Sequence, residues 1–248
     1  MVYKYNIWCE PANAYRTLHI HLPNNYYESN ERYAVLYMFD GQNLFFNHDA
    51  TFGRSLGLKE FLDRWWKGLI VVGISCADDD RTRIREYCPF NLNSTFYGYI
   101  EGRGEQTLEW ISNRLKPHID ETFRTAPQRE ATAIAGYSMG GMMSLYGVLH
   151  FNRTFSKAAV ISPALRPAME QFHEEISNDA LNPDTRIFFS WGTTEEQGNP
   201  GLGDRVKEIE WLVQQQGVRT YLYQNNGGTH NEASWENEVP HWMKFLWE

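Results

Sequence analysis

The feature that most constrains this chain is a serine held among glycines at the junction of a predicted strand and a predicted helix. Residues 134–141 read Ile-Ala-Gly-Tyr-Ser-Met-Gly-Gly, which places the pattern G-x-S-x-G around Ser138. Residues 131–135 are short, apolar and partly β-branched, as expected of a buried parallel strand. The residues after Ser138 carry apolar side chains at helical spacing. Small flanking residues let a serine occupy a sharp strand-to-helix turn with its hydroxyl exposed, so the pattern predicts a nucleophile.

Strand and helix patterns alternate along the rest of the chain. The predicted strands are Val2–Trp8, Tyr15–Leu22, Tyr33–Phe39, Leu69–Ile74, Ala131–Ala135, Lys157–Ile161, Arg186–Trp191 and Val218–Gln224. The predicted helices are Phe52–Trp66, Gly104–Phe123, the helix after Ser138, a short one near Ala168–Ile176, Asp204–Gln216 and Ala233–Trp247. Such alternation predicts the α/β class, with a mostly parallel sheet and helices on both faces. No linker or repeat interrupts it, so we expect a single domain over residues 1–248.

Two long connections follow predicted strands, at residues 75–103 and 162–185. Ligands of open α/β sheets bind near the carboxyl ends of the strands, and connections of this length usually have a function. The first contains the run Asp78-Asp79-Asp80, which we interpret as a solvated loop, with a cation site as the alternative.

Composition restricts the partners that this chain can have. The formal net charge is −8, which argues against nucleic acid or an anionic membrane as a partner. No apolar run reaches membrane-spanning length, and the first residues lack the apolar core of a signal peptide, so we expect a cytoplasmic protein. Three cysteines, Cys9, Cys76 and Cys88, cannot all pair and are expected to be reduced. A small molecule is the expected partner, and a homo-oligomer is left open.

A serine hydroxyl needs a base that takes its proton. Where the nucleophilic serine lies on a strand-to-helix turn, the three catalytic residues follow one another along the chain as serine, acid and histidine. Three histidines follow Ser138, namely His173, His230 and His241. His173 precedes every candidate acid, and His241 lies inside the last predicted helix. His230 belongs to the polar loop 225–231 after the last predicted strand, so we predict it as the base.

The base in turn needs a carboxylate that orients it. Glu195 and Glu196 directly follow the strand predicted at residues 186–191, and only one of two adjacent carboxylates can face His230. We favour Glu195 and keep Glu196 and Asp204 as alternatives.

A tetrahedral intermediate needs two backbone N–H donors around its oxyanion. The residue after the nucleophile, Met139, supplies one, and the loop after the third predicted strand, residues 39–45, supplies the other. We predict Gln42 as the second donor, although Asp40-Gly41 by itself is also a common turn pair.

Other candidate sites are weaker. His19 and His21 share one face of a predicted strand, but no third metal ligand accompanies them. No glycine-rich phosphate loop is present. We therefore expect neither a metal nor an organic cofactor.

Six segments of the sequence resemble motifs of a known enzyme family. These segments are Val35–Asn43, Arg85–Phe90, Leu115–Asp120, Ala133–Gly141, Gly192–Glu195 and His230–Trp235. Over about residues 30–247 the chain resembles the putative-esterase (esterase D) branch of the α/β-hydrolases, which includes feruloyl and acetyl-xylan esterases and enterochelin-esterase-like hydrolases. The resemblance implies the α/β-hydrolase fold with a small or absent cap. It also implies that residues 192–195 form the acid loop and residues 230–235 the histidine loop.

Residues and resemblance together predict a serine carboxylesterase that forms an acyl-enzyme on Ser138. The expected substrates are short-acyl or aryl esters, acetylated or feruloylated sugars among them. Two alternatives stay open: an acyltransferase on the same fold, in which an alcohol replaces water, and a ligand-binding relative without catalysis.

Overall fold

A computed structural model describes residues 1–94, 98–178 and 180–248. Within these residues eight strands form one sheet in the order β1-β2-β4-β3-β7-β8-β9-β10. These strands are β1 (Val2–Cys9), β2 (Ala14–His21), β3 (Ala34–Phe39), β4 (Leu69–Ile74), β7 (Thr132–Tyr137), β8 (Lys157–Ile161), β9 (Arg186–Gly192) and β10 (Arg219–Asn225), and a hairpin of β5 (Leu92–Ser94) and β6 (Gly98–Ile100) stands apart. Only β2 runs opposite to the other strands of the large sheet. The mostly parallel sheet is confirmed.

Helices cover both faces of this sheet. They are α1 (Leu58–Leu62), α2 (Asp80–Tyr87), α3 (Gly104–Trp110), α4 (Lys116–Thr122), α5 (Met139–His150), α6 (Met169–Asn178), α7 (Leu202–Gln214), α8 (Glu232–Glu236) and α9 (Val239–Trp247). Among the described residues, no helix is long and apolar enough to cross a membrane.

The sheet separates two hydrophobic cores. In β3, Val35 and Tyr37 point into the core under α3, α5, α6 and α7, whereas Leu36 and Met38 point into the core under α1, α8 and α9. Successive side chains of a strand point to opposite faces, so a strand covered on both sides must be apolar throughout. This explains why the central strands read as continuous apolar runs.

Two predicted helices were wrong in extent, those over Phe52–Trp66 and Ala233–Trp247. The helix predicted over Phe52–Trp66 is limited to α1, because Gly53 and Gly57 before it have φ of 72° and 65°, outside the helical region. The helix predicted over Gly104–Phe123 is confirmed, since α3, a wider π-helical turn at Ile111–Leu115 and α4 follow one another without a break from Gly104 to Thr122. Pro117, which has no N–H to donate to the preceding turn, lies at the start of α4.

The predicted closing helix Ala233–Trp247 is divided into α8 and α9. Pro240 lies in the first turn of α9 and has no N–H for the carbonyl of Glu236, so helical hydrogen bonding is interrupted there.

The run Asp78-Asp79-Asp80 is exposed, as the interpretation as a solvated loop requires, but its last residue belongs to a helix. Asp79 is the N-cap of α2 and accepts a hydrogen bond from the Thr82 N–H at 2.9 Å, and Asp80 begins that helix. The two connections predicted at residues 75–103 and 162–185 therefore contain α2 and α6. Residues 95–97 and 179 of these connections lie outside the described residues.

Candidate active site

Ser138 occupies a strained turn between β7 and α5. Its φ of 57° and ψ of −122° lie in a region that side-chain-bearing residues rarely adopt. The turn is tight, because a Cβ at Gly136 would lie 2.5 Å from the backbone of Gly140. A Cβ at Gly141 would lie 2.7 Å from the carbonyl oxygen of Ile161. Close backbone approach thus requires glycine at Gly136, the first glycine of the G-x-S-x-G pattern, and at Gly141, directly after the pattern.

The end of β8 holds this turn in place. The N–H of Ser138 donates to the carbonyl of Ile161 at 3.1 Å, and the N–H of Ala164 donates to the carbonyl of Ser138 at 3.0 Å. Backbone hydrogen bonds on both sides of a strained residue are what allow an unfavourable conformation to persist.

His230 and Glu195 form a direct pair at the same edge of the sheet. Glu195 Oε2 lies 2.6 Å from His230 Nδ1. The Glu195 side chain is 2% exposed, while that of His230 is 46% exposed and reaches the cavity surface. Oxygen Oε1 of Glu195 accepts hydrogen bonds from Ser162 Oγ at 2.7 Å and from the Gly192 N–H at 2.9 Å. Both carboxylate oxygens are therefore engaged, and one of them faces the imidazole.

The alternatives for acid and base lie elsewhere. Glu196 is exposed and accepts a hydrogen bond from the Gly203 N–H at the start of α7. The Asp204 side chain is 88% exposed and lies 3.5 Å from Lys207. His173 lies 3.0 Å from Glu208, and the ring of His241 stacks on Tyr223.

The loops that carry Glu195 and His230 are fastened to each other. The N–H of Thr194 donates to the carbonyl of Gly228 at 3.0 Å, and the N–H of Gly227 donates to Thr193 Oγ1 at 2.9 Å. A Cβ at Gly192 would lie 2.4 Å from the carbonyl oxygen of Gly228. This close approach fixes the distance between the carboxylate and the imidazole.

An aromatic pair forms one wall beside these residues. Trp235 stacks on Tyr137 with ring centroids 4.2 Å apart, and its edge contacts the His230 ring at 4.9 Å. Its indole N–H donates to Ser162 Oγ at 3.0 Å, so the Ser162 hydroxyl is left to donate its hydrogen to Glu195. Sequence reasoning included Trp235 in the histidine loop and assigned nothing to Ser162. Only the fold brings Ser162, the first residue after β8, against the acid.

Ser138, His230 and Gln42 line one cavity of about 600 Å³. Gln42 lies in a turn of 3-10 helix at Gly41–Asn43, directly after β3. Its side-chain Nε2 lies 3.2 Å from Cys76 Sγ, and Met139 is the first residue of α5. The structure thus brings the segments predicted to carry both N–H donors to the edge of the sheet where Ser138 lies.

A buried ion pair, which sequence reasoning missed, supports the turn that carries Gln42. Asp40 is 1% exposed, and both of its oxygens accept hydrogen bonds at 2.8 Å from the Arg83 guanidinium on α2. Such a bidentate pair fixes geometry as well as charge. The sequence signal was weak, because Asp40 resembles a turn residue and Arg83 lies in a run of alternating arginines.

His19 and His21 are buried, at 4% and 1% exposure. Burial lowers the pKa of each to about 4, so both are neutral near pH 7. Among the described residues, no group of three or more His, Cys, Asp or Glu side chains is placed to hold a metal ion.

The fold and this arrangement of residues define an α/β-hydrolase-like protein. Comparison with known proteins gives the family: the family model described as Putative esterase matches residues 10–246, and the chain belongs to this family. Membership identifies the protein as an ester hydrolase.

Individual proteins share part of its sequence or its fold. The chain is 27% identical over 183 residues to protein YbbA of Bacillus subtilis (strain 168), covering 73% of this chain and 69% of YbbA. A solved ferulic acid esterase superposes with a TM-score of 0.73 and 16% identity, covering 99% of this chain and 97% of that structure. The siderophore hydrolase EstA from Aspergillus nidulans superposes with a TM-score of 0.72 and 16% identity, covering 99% and 95%. At these identities the solved structures show the shared fold.

Proposed function

We propose that the protein is a serine carboxylesterase in which Ser138 is the nucleophile, His230 the general base and Glu195 the acid of the triad. The observation that carries the proposal is the 2.6 Å contact between Glu195 and His230, on the wall of the cavity that Ser138 also lines. A buried carboxylate against Nδ1 holds the other imidazole nitrogen, Nε2, ready to take a proton from a serine hydroxyl.

The reaction follows from these positions. His230 removes the hydroxyl proton as Ser138 attacks the ester carbonyl, and the backbone N–H groups of Met139 and Gln42 stabilise the oxyanion. His230 then protonates the departing alcohol and afterwards activates the water that releases the acid from Ser138. Glu195 stabilises the imidazolium that forms in each half of the cycle.

The cavity supports short-acyl or aryl esters as substrates. A volume of about 600 Å³ suits a small molecule, and the Trp235 and Tyr137 rings provide an apolar wall. Helix α2, which approaches the cavity from the connection after β4, carries Asp and Arg side chains instead of a broad apolar face. Ferulic acid esterase and siderophore hydrolase structures share the fold, which supports aryl esters as the first compounds to assay.

Substitution of Ser138 tests the proposal. Ser138→Ala should lower kcat toward p-nitrophenyl acetate by on the order of 10⁴-fold or more, because the covalent step is lost. A fluorophosphonate probe should label the wild-type protein at Ser138 and leave the variant unlabelled. Ser144→Ala is the matched control, because Ser144 lies on the same helix with its hydroxyl donating to the Gly140 carbonyl at 2.8 Å.

Two results would contradict the proposal. Retention of a tenth of the wild-type activity by a folded Ser138→Ala variant would remove Ser138 from the mechanism. Absence of both labelling and turnover in the wild-type protein would favour a ligand-binding role. Product analysis with added alcohols separates hydrolysis from acyl transfer.

A further inference from the structure

The carboxylate of Glu232, two residues after His230, lines the candidate active-site cavity. The residue is 5% exposed. Asn43 Nδ2 donates to its Oε1 at 3.3 Å, and no other side chain in the described part of the protein donates a hydrogen bond to it. Burial raises the pKa of this carboxyl. Its hydrogen-bond partners are thus one neutral amide and its own backbone N–H, so a charged donor on a bound molecule would stabilise this buried carboxylate further.

A second acceptor in the same cavity wall is also short of a donor. Gln42 Oε1 is buried, and no hydrogen-bond donor within the described residues reaches it. Gln42 and Asn43 are neighbours in the turn after β3, so Oε1 of Gln42 and the carboxylate of Glu232 belong to adjacent parts of the cavity wall. In this part of the cavity wall the described residues leave acceptors without a full set of donors.

The charge of the cavity wall indicates what kind of donor fits. Among the described lining residues, five are acidic and one is a guanidinium, a formal balance of −4 with His230 neutral. The acidic residues are Asp40, Asp49, Asp78, Asp80 and Glu232. Asp40 pairs with Arg83 and Asp49 pairs with Lys4, so Asp78 and Glu232 keep the wall negative even when Asp80 is left out of the balance. Such a wall attracts cations and repels carboxylates.

Aromatic rings complete the environment. Trp235 lines the cavity three residues after Glu232, and Phe52 lines it with 81% of its surface exposed. The faces of aromatic rings also favour cations. Carboxylates beside aromatic faces are a combination that suits a protonated amine better than a neutral hydroxyl group.

We propose that this cavity selects esters that carry a protonated amino group, and that Glu232 is the residue that binds this group. The proposal rests on the esterase function proposed above and adds the substrate class. Glu232 then determines specificity, while the bond-breaking steps belong to Ser138, His230 and Glu195.

A matched set of three phenyl acetates tests charge recognition. The cationic ester is 4-(dimethylaminomethyl)phenyl acetate in its protonated form, the neutral one of similar shape is 4-isobutylphenyl acetate, and the anionic one is 4-(carboxymethyl)phenyl acetate. In each ester a methylene group and the aromatic ring separate the variable group from the scissile bond. The wild-type protein should rank them cationic, neutral, anionic in kcat/KM.

The variant Glu232→Gln keeps an oxygen for the Asn43 hydrogen bond and removes the charge. It should lower the cationic-to-neutral ratio of kcat/KM roughly tenfold, which is the loss expected for one charge-assisted hydrogen bond, and chiefly through KM. Glu236→Gln is the control, since Glu236 lies on the same short helix and pairs with Arg54 at 2.9 Å. It should leave the ratio unchanged.

The outcomes separate the two proposals. Equal loss of kcat/KM for all three esters in Glu232→Gln, or a wild-type protein without charge preference, overturns the role of Glu232 and leaves the esterase function intact. If no ester is hydrolysed, the esterase function fails. Calorimetric titration with 4-(dimethylaminomethyl)phenol against 4-isobutylphenol then decides the recognition proposal, which fails if the phenol bearing the protonated amine does not bind more tightly.

Discussion

Replacement of Glu195 by glutamine tests the catalytic arrangement most directly, because the structure dictates which way the new amide must face. Oxygen Oε1 of Glu195 accepts from the Gly192 N–H and from Ser162, whose own oxygen is occupied by the indole N–H of Trp235. The glutamine oxygen must take this place, since an NH₂ group would meet the fixed Gly192 donor. The NH₂ group therefore faces His230 Nδ1.

Facing that NH₂ group, Nδ1 must accept a hydrogen bond instead of donating one. The ring proton then lies on Nε2, which can no longer remove the proton of Ser138. The expected loss in kcat is on the order of 10⁴-fold, equivalent to about 5.5 kcal/mol of transition-state stabilisation. The fold should persist, because both hydrogen bonds to Oε1 are retained.

The assay is hydrolysis of p-nitrophenyl acetate, with circular dichroism to verify folding and ¹⁵N NMR to determine which nitrogen of His230 carries the proton. Glu196→Gln is the matched control and should change kcat less than twofold, since the exposed Glu196 side chain accepts a hydrogen bond at the start of α7, whereas Glu195 contacts His230. The reasoning is refuted if Glu195→Gln keeps more than a tenth of the activity. It is equally refuted if Glu196→Gln shows the large loss instead.

Three further results are expected. The acetate and butyrate esters of p-nitrophenol should have a higher kcat/KM than the palmitate ester. A sharp increase in rate when a long-chain ester exceeds its solubility limit would contradict the proposal of short-acyl substrates. Arg83→Leu should lower the free energy of unfolding by about 3 kcal/mol in urea titrations, because Asp40 would be left as an unpaired buried carboxylate. The control is Arg81→Leu, because Arg81 is an exposed residue near Arg83 in the sequence. Burial raises the pKa of Glu238 to about 7, so the folded protein keeps a proton that the unfolded chain has already released. The free energy of unfolding of the wild-type protein should therefore fall by up to about 3 kcal/mol as pH rises from about 4.5 to 7. Glu238→Gln should remove this decline. An unchanged pH dependence in the variant would refute the assignment of the decline to Glu238.

The sequence alone predicted the class of fold and the segments that meet at the candidate site. The alternation of strand and helix patterns predicted a mostly parallel sheet. The ends of β4 and β8 were predicted correctly, since a strand buried on both faces is an apolar run from its first residue to its last. The pattern around Ser138 predicted a strand-to-helix turn because only small residues tolerate the close backbone contacts that the turn requires. Chain order then selected His230 and Glu195.

Helix boundaries were less predictable, because they depend on local backbone geometry that composition does not reveal. Gly53 and Gly57 adopt positive φ and shorten the helix predicted from Phe52, although isolated glycines inside an apolar helical pattern are often tolerated. Pro240 divides the last predicted helix, where the amphipathic pattern continues across the break.

Tertiary structure alone decided which groups surround the reactive ones. Nothing in the sequence around Ser162 or Trp235 indicates that they engage Glu195, and the Asp40–Arg83 pair joins residues 43 positions apart. Glu232 follows His230 closely in the sequence, yet its burial and its contact with Asn43 arise only when the loops after β3 and β10 meet. Periodicity and glycine spacing act over a few neighbouring residues and can be read along the chain. The partners of a buried carboxylate depend on which distant strands lie side by side, and that is fixed only when the sheet assembles.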